Sequence, residues 1–193
     1  MKIIAHRGLW NRREEGNTIE SFREAFMRGY GIETDIRDYG GRLVVSHNVA
    51  AETAFDLEDV LKIYSDMGCG SALALNIKAD GLQKLLWEEL VKYRIENYFV
   101  FDMSVPEQVV KKKKKFRVFT RMSEYETVPV LLERSQGIWM DEWEKSWISA
   151  QVIQKFRDEK KIVAVISPEI HGREREFLWN ELKRFEHDQE VLL

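Results

Sequence analysis

About eight times along the chain a short apolar run is followed by a stretch of different character, mostly with helical spacing, and this alternation constrains the fold most strongly. The apolar runs are Lys2 to Ala5, Ile32 to Arg37, Ala72 to Lys78, Tyr98 to Asp102, Phe116 to Arg121, Gly137 to Asp141, Lys161 to Ser167 and Glu190 to Leu193. The first helix is predicted to open at Asn17 or Thr18 and to bury Ile19, Phe22, Ala25 and Phe26. A second follows Asp56 as a cap, and a third carries Leu82, Leu85, Leu86, Leu90 and Val91 on one face. Further helices are expected from about Pro106, before Gly137, near Ser149 to Glu159, and from about Glu174 to Phe185. Tyr39-Gly40-Gly41 is a turn signal that joins the second run to Leu43–Val45 as a local hairpin. Strands that alternate with helices become parallel neighbours, because parallel pairing needs a long crossover. Eight such units close most simply into a (β/α)8 TIM-type barrel, for which ~250 residues is typical. With 193 residues the barrel would be compact, a single α/β domain over residues 1–193. An open doubly wound sheet is the competing architecture.

The charge count narrows the partners. Thirty basic residues against 33 acidic ones leave a net charge of -3, without the basic excess of a nucleic-acid binder. The single cysteine, Cys69, cannot form an intramolecular disulfide, and no apolar run approaches the ~20 residues that span a bilayer. A charged residue at Lys2 and again at Arg7 argues against a signal peptide. The expectation is a cytoplasmic domain with no nucleic-acid partner and no stable membrane insertion.

The ends of the predicted strands are polar to an unusual degree. They carry His6 and Arg7, Glu33 and Asp35, Asn76 and Lys78, Asp102, Arg121, Asp141, and Glu169 with His171. In a barrel the active site lies at these carboxyl ends. Glu33 and Asp35 fall on the same strand face, since side chains alternate with period two. Paired carboxylates suit a hard cation, and an ion pair of these groups with Arg37 and Arg42 is the plainer explanation. Arg7 has the planar fork that clamps phosphate, and His6 and His47 can divide acid and base duty near neutral pH. No dinucleotide or Walker-type glycine pattern follows any strand.

Together, His6-Arg7-Gly8, Asn17-Thr18 with Ser21-Phe22, Glu33-Thr34-Asp35 and Ser46-His47 resemble the glycerophosphodiester phosphodiesterase family, within the phosphatidylinositol-specific phospholipase C-like superfamily. The match is dense over residues 3–48 and then thins to Asn76-Ile77-Lys78. The resemblance implies a TIM-type barrel, a divalent metal (Mg2+ or Ca2+, with Mn2+ a further candidate) and hydrolysis of a small-molecule or polymer-linked phosphodiester. By the same resemblance His6 and His47 act as acid and base, Arg7 and Lys78 bind the phosphate, and Glu33, Asp35 and Asn76 hold the metal. A substrate hydroxyl attacks phosphorus in the family's usual scheme, and water can then open the cyclic phosphate.

This chain departs from the family pattern. Gly16 and Asn48 stand where the family has Glu and Asp, and Asn76 replaces the third metal-binding Glu. Asp141 or Glu169 would have to compensate for that lost charge, and His171 joins them as an additional candidate site residue. The segment from His47 to Leu73 is also short, a reduced insertion where relatives carry a small subdomain. A relative that binds phosphate esters without turnover is the alternative function. Elsewhere, the lysine run from Lys111 to Lys115 reads as a solvated helix end, Trp139, Trp143 and Trp147 as core or substrate-wall packing, and His187 as a surface residue.

Overall fold

The computed structural model describes residues 1–113 and 116–193, and the side chains of all of these except 111–113. The side chains of the lysine run therefore lie outside the described residues. Within the described residues the chain divides into two compact units, Ile4–Phe116 and Arg117–Leu193 with Met1–Ile3.

In the first unit β1 (Ile4–His6), β2 (Gly31–Tyr39), β4 (Leu73–Ile77) and β5 (Tyr98–Phe101) form a parallel sheet in the order β1-β2-β4-β5. β3 (Arg42–Val45) turns back antiparallel onto the far half of β2, with Ile36 opposite Val45, as the Gly40-Gly41 turn predicts. Every residue of β4 and β5 is buried, which explains why both read as continuous apolar runs. The helices α1 (Ile19–Met27), α2 (Leu57–Asp66), α3 (Gln83–Lys92) and α4 (Val105–Lys113) follow β1, β3, β4 and β5. Phe22, Ala25, Leu57, Leu61 and Leu86 from three of these helices are fully buried. Thr18, not Asn17, caps α1: its hydroxyl accepts from Ser21 N, and Ser21 Oγ accepts from Thr18 N, both at 3.2 Å. Asp56 precedes α2 but makes no capping bond, because its carboxylate is taken by Arg42. Between His47 and Leu73 the chain has only a loop and α2, as the short segment implies.

In the second unit β6 (Phe119–Met122), β7 (Gly137–Met140), β8 (Ile162–Val165) and β9 (Val191–Leu192) form a parallel four-stranded sheet. Lys2 pairs in parallel with Leu192 at its edge. α5 (Ala150–Asp158) and α6 (Glu176–Leu182) pack Ile153, Phe156, Leu178 and Leu182 against Ile138, Val163 and Val191. The helix expected before Gly137 is only a 3-10 turn at Leu132–Arg134. Thr127, Val128, Pro129 and Val130 account for that, since β-branched residues and proline oppose an α-helix there.

Among the described residues there are thus eight parallel strands and one hairpin strand, but their pairing forms two sheets that are not closed into a barrel. Alternation of strand and helix dictates parallel neighbours; it does not dictate closure. Register runs through each set of strands.

Candidate active site

Strand register assembles the site in the first unit. His6 is the Cα partner of Glu33 across β1 and β2, and Asp35 is the partner of Asn76 across β2 and β4. Arg7, Lys78 and Asp102 follow directly at the carboxyl ends of β1, β4 and β5, and His47 lies two residues beyond β3.

Arg7 sits in the left-handed region at φ 56, a conformation that non-glycine residues rarely adopt. Its carbonyl accepts from Asn17 N at 2.8 Å and from Ser21 Oγ at 3.0 Å, and its N–H donates to Glu33 O at 3.0 Å. Three bonds fix the strained backbone and aim the guanidinium. Gly8 follows at φ 83, where an added Cβ would lie 2.6 Å from the Ser21 carbonyl carbon, so only glycine lets α1 approach.

Asp35 is the hub. Arg7 Nε stands 3.3 Å from Oδ2, Lys78 Nζ 3.5 Å from Oδ1, and His47 Nδ1 3.2 Å from Oδ2. Asn17 donates from Nδ2 to the same Oδ2 at 2.9 Å, while its Oδ1 accepts from Thr34 Oγ1 at 3.0 Å. Lys78 also donates to Asp102 at 3.1 Å. Burial works to raise the Asp35 pKa, yet the Asn17 hydrogen bond, Lys78, His47 and Arg7 outweigh it and hold the carboxyl below its usual range. Glu33 behaves oppositely. Its burial, and then the charge of Asp35, push its pKa up to about 8 against weaker relief from Asn76, Arg7 and Lys78.

His47 Nδ1 meets two groups with opposite needs. Arg7 Nη2 lies 2.8 Å away and can only donate; ionised Asp35 can only accept. With Nδ1 accepting from Arg7, the ring proton sits on Nε2. With Nδ1–H donated to Asp35, Nε2 carries the lone pair. Both tautomers therefore have a partner in place, the shorter contact favouring the first. His6 Nε2 stands 3.7 Å from Glu33 Oε2, and its carbonyl accepts from Trp10 Nε1 at 2.8 Å.

Asn76 Nδ2 donates to Glu33 Oε1 at 3.3 Å, leaving Asn76 Oδ1 and Glu33 Oε2 buried without hydrogen-bond partners. Two orphaned oxygens, one amide and one carboxylate, beside the carboxylate of Asp35 are costly alone and suit a hard cation that takes only oxygen ligands. The residues present therefore fit a divalent metal, with two carboxylates and one amide as donors. Among the described residues no cluster of three or more His, Cys, Asp or Glu side chains has metal-holding geometry, and the third donor here is an amide.

The plainer explanation of the carboxylate pair does not describe it. Arg42 pairs with Asp56, and Arg37 donates to the carbonyls of Lys78 at 3.1 Å and His47 at 3.3 Å. Arg37 thus ties together the segments that carry two of the candidate residues, a role the sequence reading missed. Period two along β2 places it on the face of Glu33 and Asp35, and that was the available signal.

Asp141, Glu169 and His171 belong to the second unit. His171 Nε2 and Asp141 Oδ1 are 2.8 Å apart, and Glu169 is engaged by Ser167 and by Arg175. Arg121, at the end of β6, donates to Glu126 at 2.7 Å.

No protein-family model matches the sequence, and no curated protein matches it. Solved structures do. A phosphodiesterase from Oleispira antarctica, in complex with the product sn-glycerol-3-phosphate, matches with a TM-score of 0.67 at 16% identity over 100% of this chain and 92% of its own. A glycerophosphodiester phosphodiesterase from Agrobacterium tumefaciens gives 0.62 at 16% identity over 85% of each chain. A glycerophosphoryl diester phosphodiesterase from Parabacteroides distasonis gives 0.63 at 11% identity over 99% of this chain and 81% of its own. The chain therefore shares its fold with glycerophosphodiester phosphodiesterases.

Proposed function

We propose that the chain is a metal-dependent phosphodiester hydrolase acting on a phosphodiester of glycerol or a related polyol. The observation that carries this reading is the convergence of Arg7, His47, Lys78 and Asn17 on the buried Asp35, with His6 and Glu33 in the adjacent register. Glu33, Asp35 and Asn76 would hold Mg2+, Ca2+ or Mn2+. When bound, such an ion supplies positive charge against the phosphoryl oxygens. Arg7 and Lys78 bind the phosphoryl group: Arg7 offers a fork of donors and Lys78 a point charge, and Asp35 orients both.

One histidine takes the proton from the attacking substrate hydroxyl as the new P–O bond forms; the other gives a proton to the departing alkoxide as the old bond breaks. Opening of the cyclic phosphate by water reverses the two roles. His47 suits such alternation through Asp35, which accepts from Nδ1–H both in the imidazolium that releases a proton from Nε2 and in the neutral ring that takes one up there. The likeness in fold to phosphodiesterases supports the reaction class.

Hydrolysis of a panel of glycerophosphodiesters and inositol phosphodiesters with Mg2+, Ca2+ or Mn2+ tests the proposal. His6→Ala and His47→Ala should each lower kcat by about 10²- to 10⁴-fold. Undiminished turnover in both variants would overturn the assignment of these residues. Asn76 favours a second reading, a phosphate-ester-binding relative without turnover. Calorimetric binding of a glycerophosphodiester with no product after long incubation would establish that reading instead.

A further inference from the structure

Lys78 follows β4 and Asp102 follows β5, so two neighbouring strands deliver opposite charges to one corner of the first unit. The backbone of Lys78 is fixed on both sides. Its N–H donates to Ile36 O at 3.0 Å, and its carbonyl accepts from Arg37 Nη1 at 3.1 Å. The ammonium at the end of the side chain stands between two carboxylates. Lys78 Nζ donates to Asp102 Oδ2 at 3.1 Å, whereas Asp35 Oδ1 lies at 3.5 Å, outside the usual hydrogen-bond range. The other oxygen of Asp35, Oδ2, already accepts from Asn17 Nδ2 and faces Arg7 and His47.

The fold holds Asp102 in place for this contact. It stands at φ 67, in the left-handed region that few side chains other than Asp and Asn adopt. Such a conformation persists where the surrounding structure imposes it. Here the connection from β5 to α4 is tied to the connection from β4 to α3. Ser104 Oγ donates to Asp80, and the buried Glu107 accepts from Gln83 Nε2 and from Gly81 N. The segments that carry Lys78 and Asp102 are thereby bound to one another.

The consequence falls on Asp35. If the ammonium donated to Oδ1, cationic groups would engage both oxygens of that carboxylate, and a hard cation would have to displace one of them. We propose that Asp102 is a positioning residue, which draws the Lys78 ammonium off Asp35 and so keeps Asp35 Oδ1 open to a divalent cation. The inference rests on the metal-dependent reading above. Asp102 is then no ligand itself; it acts on the cation through Lys78. A carboxylate that acted as a ligand, or by its charge alone, would favour the cation whether or not residue 78 carried an ammonium.

Two measurements on the full chain test this. The first is a crystal structure of metal-free Asp102→Asn, a substitution that suits the left-handed backbone and removes the charge. Lys78 Nζ is expected within about 3 Å of Asp35 Oδ1. An ammonium still held by residue 102, or turned to solvent, would overturn the proposal. The second is calorimetric titration with Ca2+ of the wild type, Asp102→Asn, Lys78→Met and the double variant. Asp102→Asn should lower Ca2+ affinity about tenfold or more where Lys78 is present, and less than about threefold in the Lys78→Met background. Equal losses in the two backgrounds would overturn the proposal. Lys78→Met alone should bind Ca2+ at least as tightly as the wild type, and weaker binding would overturn the proposal even if Asp102→Asn failed to fold. A wild type that binds no Ca2+ would overturn the metal-dependent reading and this inference with it. Binding by the wild type with no loss in Asp102→Asn would overturn this inference alone.

Discussion

Asn76 sets the charge at the centre of the candidate site. A glutamate there would complete three carboxylates, whereas the amide adds an oxygen without charge and spends its nitrogen on Glu33. Its own Oδ1 is buried and unpaired, so the position is poised for a ligand but weak in attraction for one. Asn76→Glu should therefore tighten Ca2+ or Mg2+ binding about tenfold or more, measured by calorimetry on metal-free protein. Equal affinity in the two proteins would mean that position 76 does not face the ion. Asn76 and the carboxylate pair were legible because each residue type announces its chemistry. The role of Asn17 was not: its motif marked a helix start, and only the folded chain brings its amide 2.9 Å from a residue 18 positions away.

β2 is the element on which the site depends, because it pairs with β1, β3 and β4 and carries Glu33, Asp35 and Arg37 on one face. The β1-to-α1 connection supports the same site from the end of β1. Gly8 at φ 83 brings α1 against the strand end, and the Thr18–Ser21 box starts the helix. Gly8→Ala should cost about 2 kcal/mol or more, since left-handed strain and overlap with Ser21 add. It should also lower activity, because Ser21 holds the Arg7 carbonyl. Thr18→Ala should cost about 1 kcal/mol through loss of the cap and of the hydroxyl's bond to Glu15 O. Denaturant unfolding of both variants measures the difference; equal costs would show that the close approach at Gly8 is not what constrains α1. Elements of this kind are readable from sequence where a period and a cap agree, as in α1. The stretch from Ser123 to Gln136 lacked that agreement, and only a 3-10 turn forms there. Asp56 stands at a cap position, but Arg42, distant in sequence and brought close by β3, takes its side chain.

At the scale of the whole molecule, eight parallel strands could be counted from alternation, but their division into two sheets is a property of long-range pairing that no local period encodes. Proton linkage is the other global property, and it follows from two buried side chains. The Glu33 pKa of about 8 lies above its ordinary value of 4.5, so between those values the folded chain holds a proton that the unfolded chain has lost. The stability that Glu33 contributes is therefore complete below about pH 4.5 and disappears as pH rises through about 8. Asp35 acts in the other direction: with its pKa held below 3.8, its contribution is present above that value and is lost only as pH falls through the lower folded one. A cation held by Glu33, Asp35 and Asn76 requires an ionised Glu33, so binding expels the proton and strengthens with pH. In metal-free protein Tm should fall from about pH 6 to about pH 9, and saturating Ca2+ or Mg2+ should raise Tm more at the upper end than at the lower. Glu33→Gln, neutral at every pH, should flatten the alkaline fall and abolish the cation effect. Calorimetric melts across that range decide the matter: a cation effect that is independent of pH, or that survives in Glu33→Gln, would place the ion away from this carboxylate.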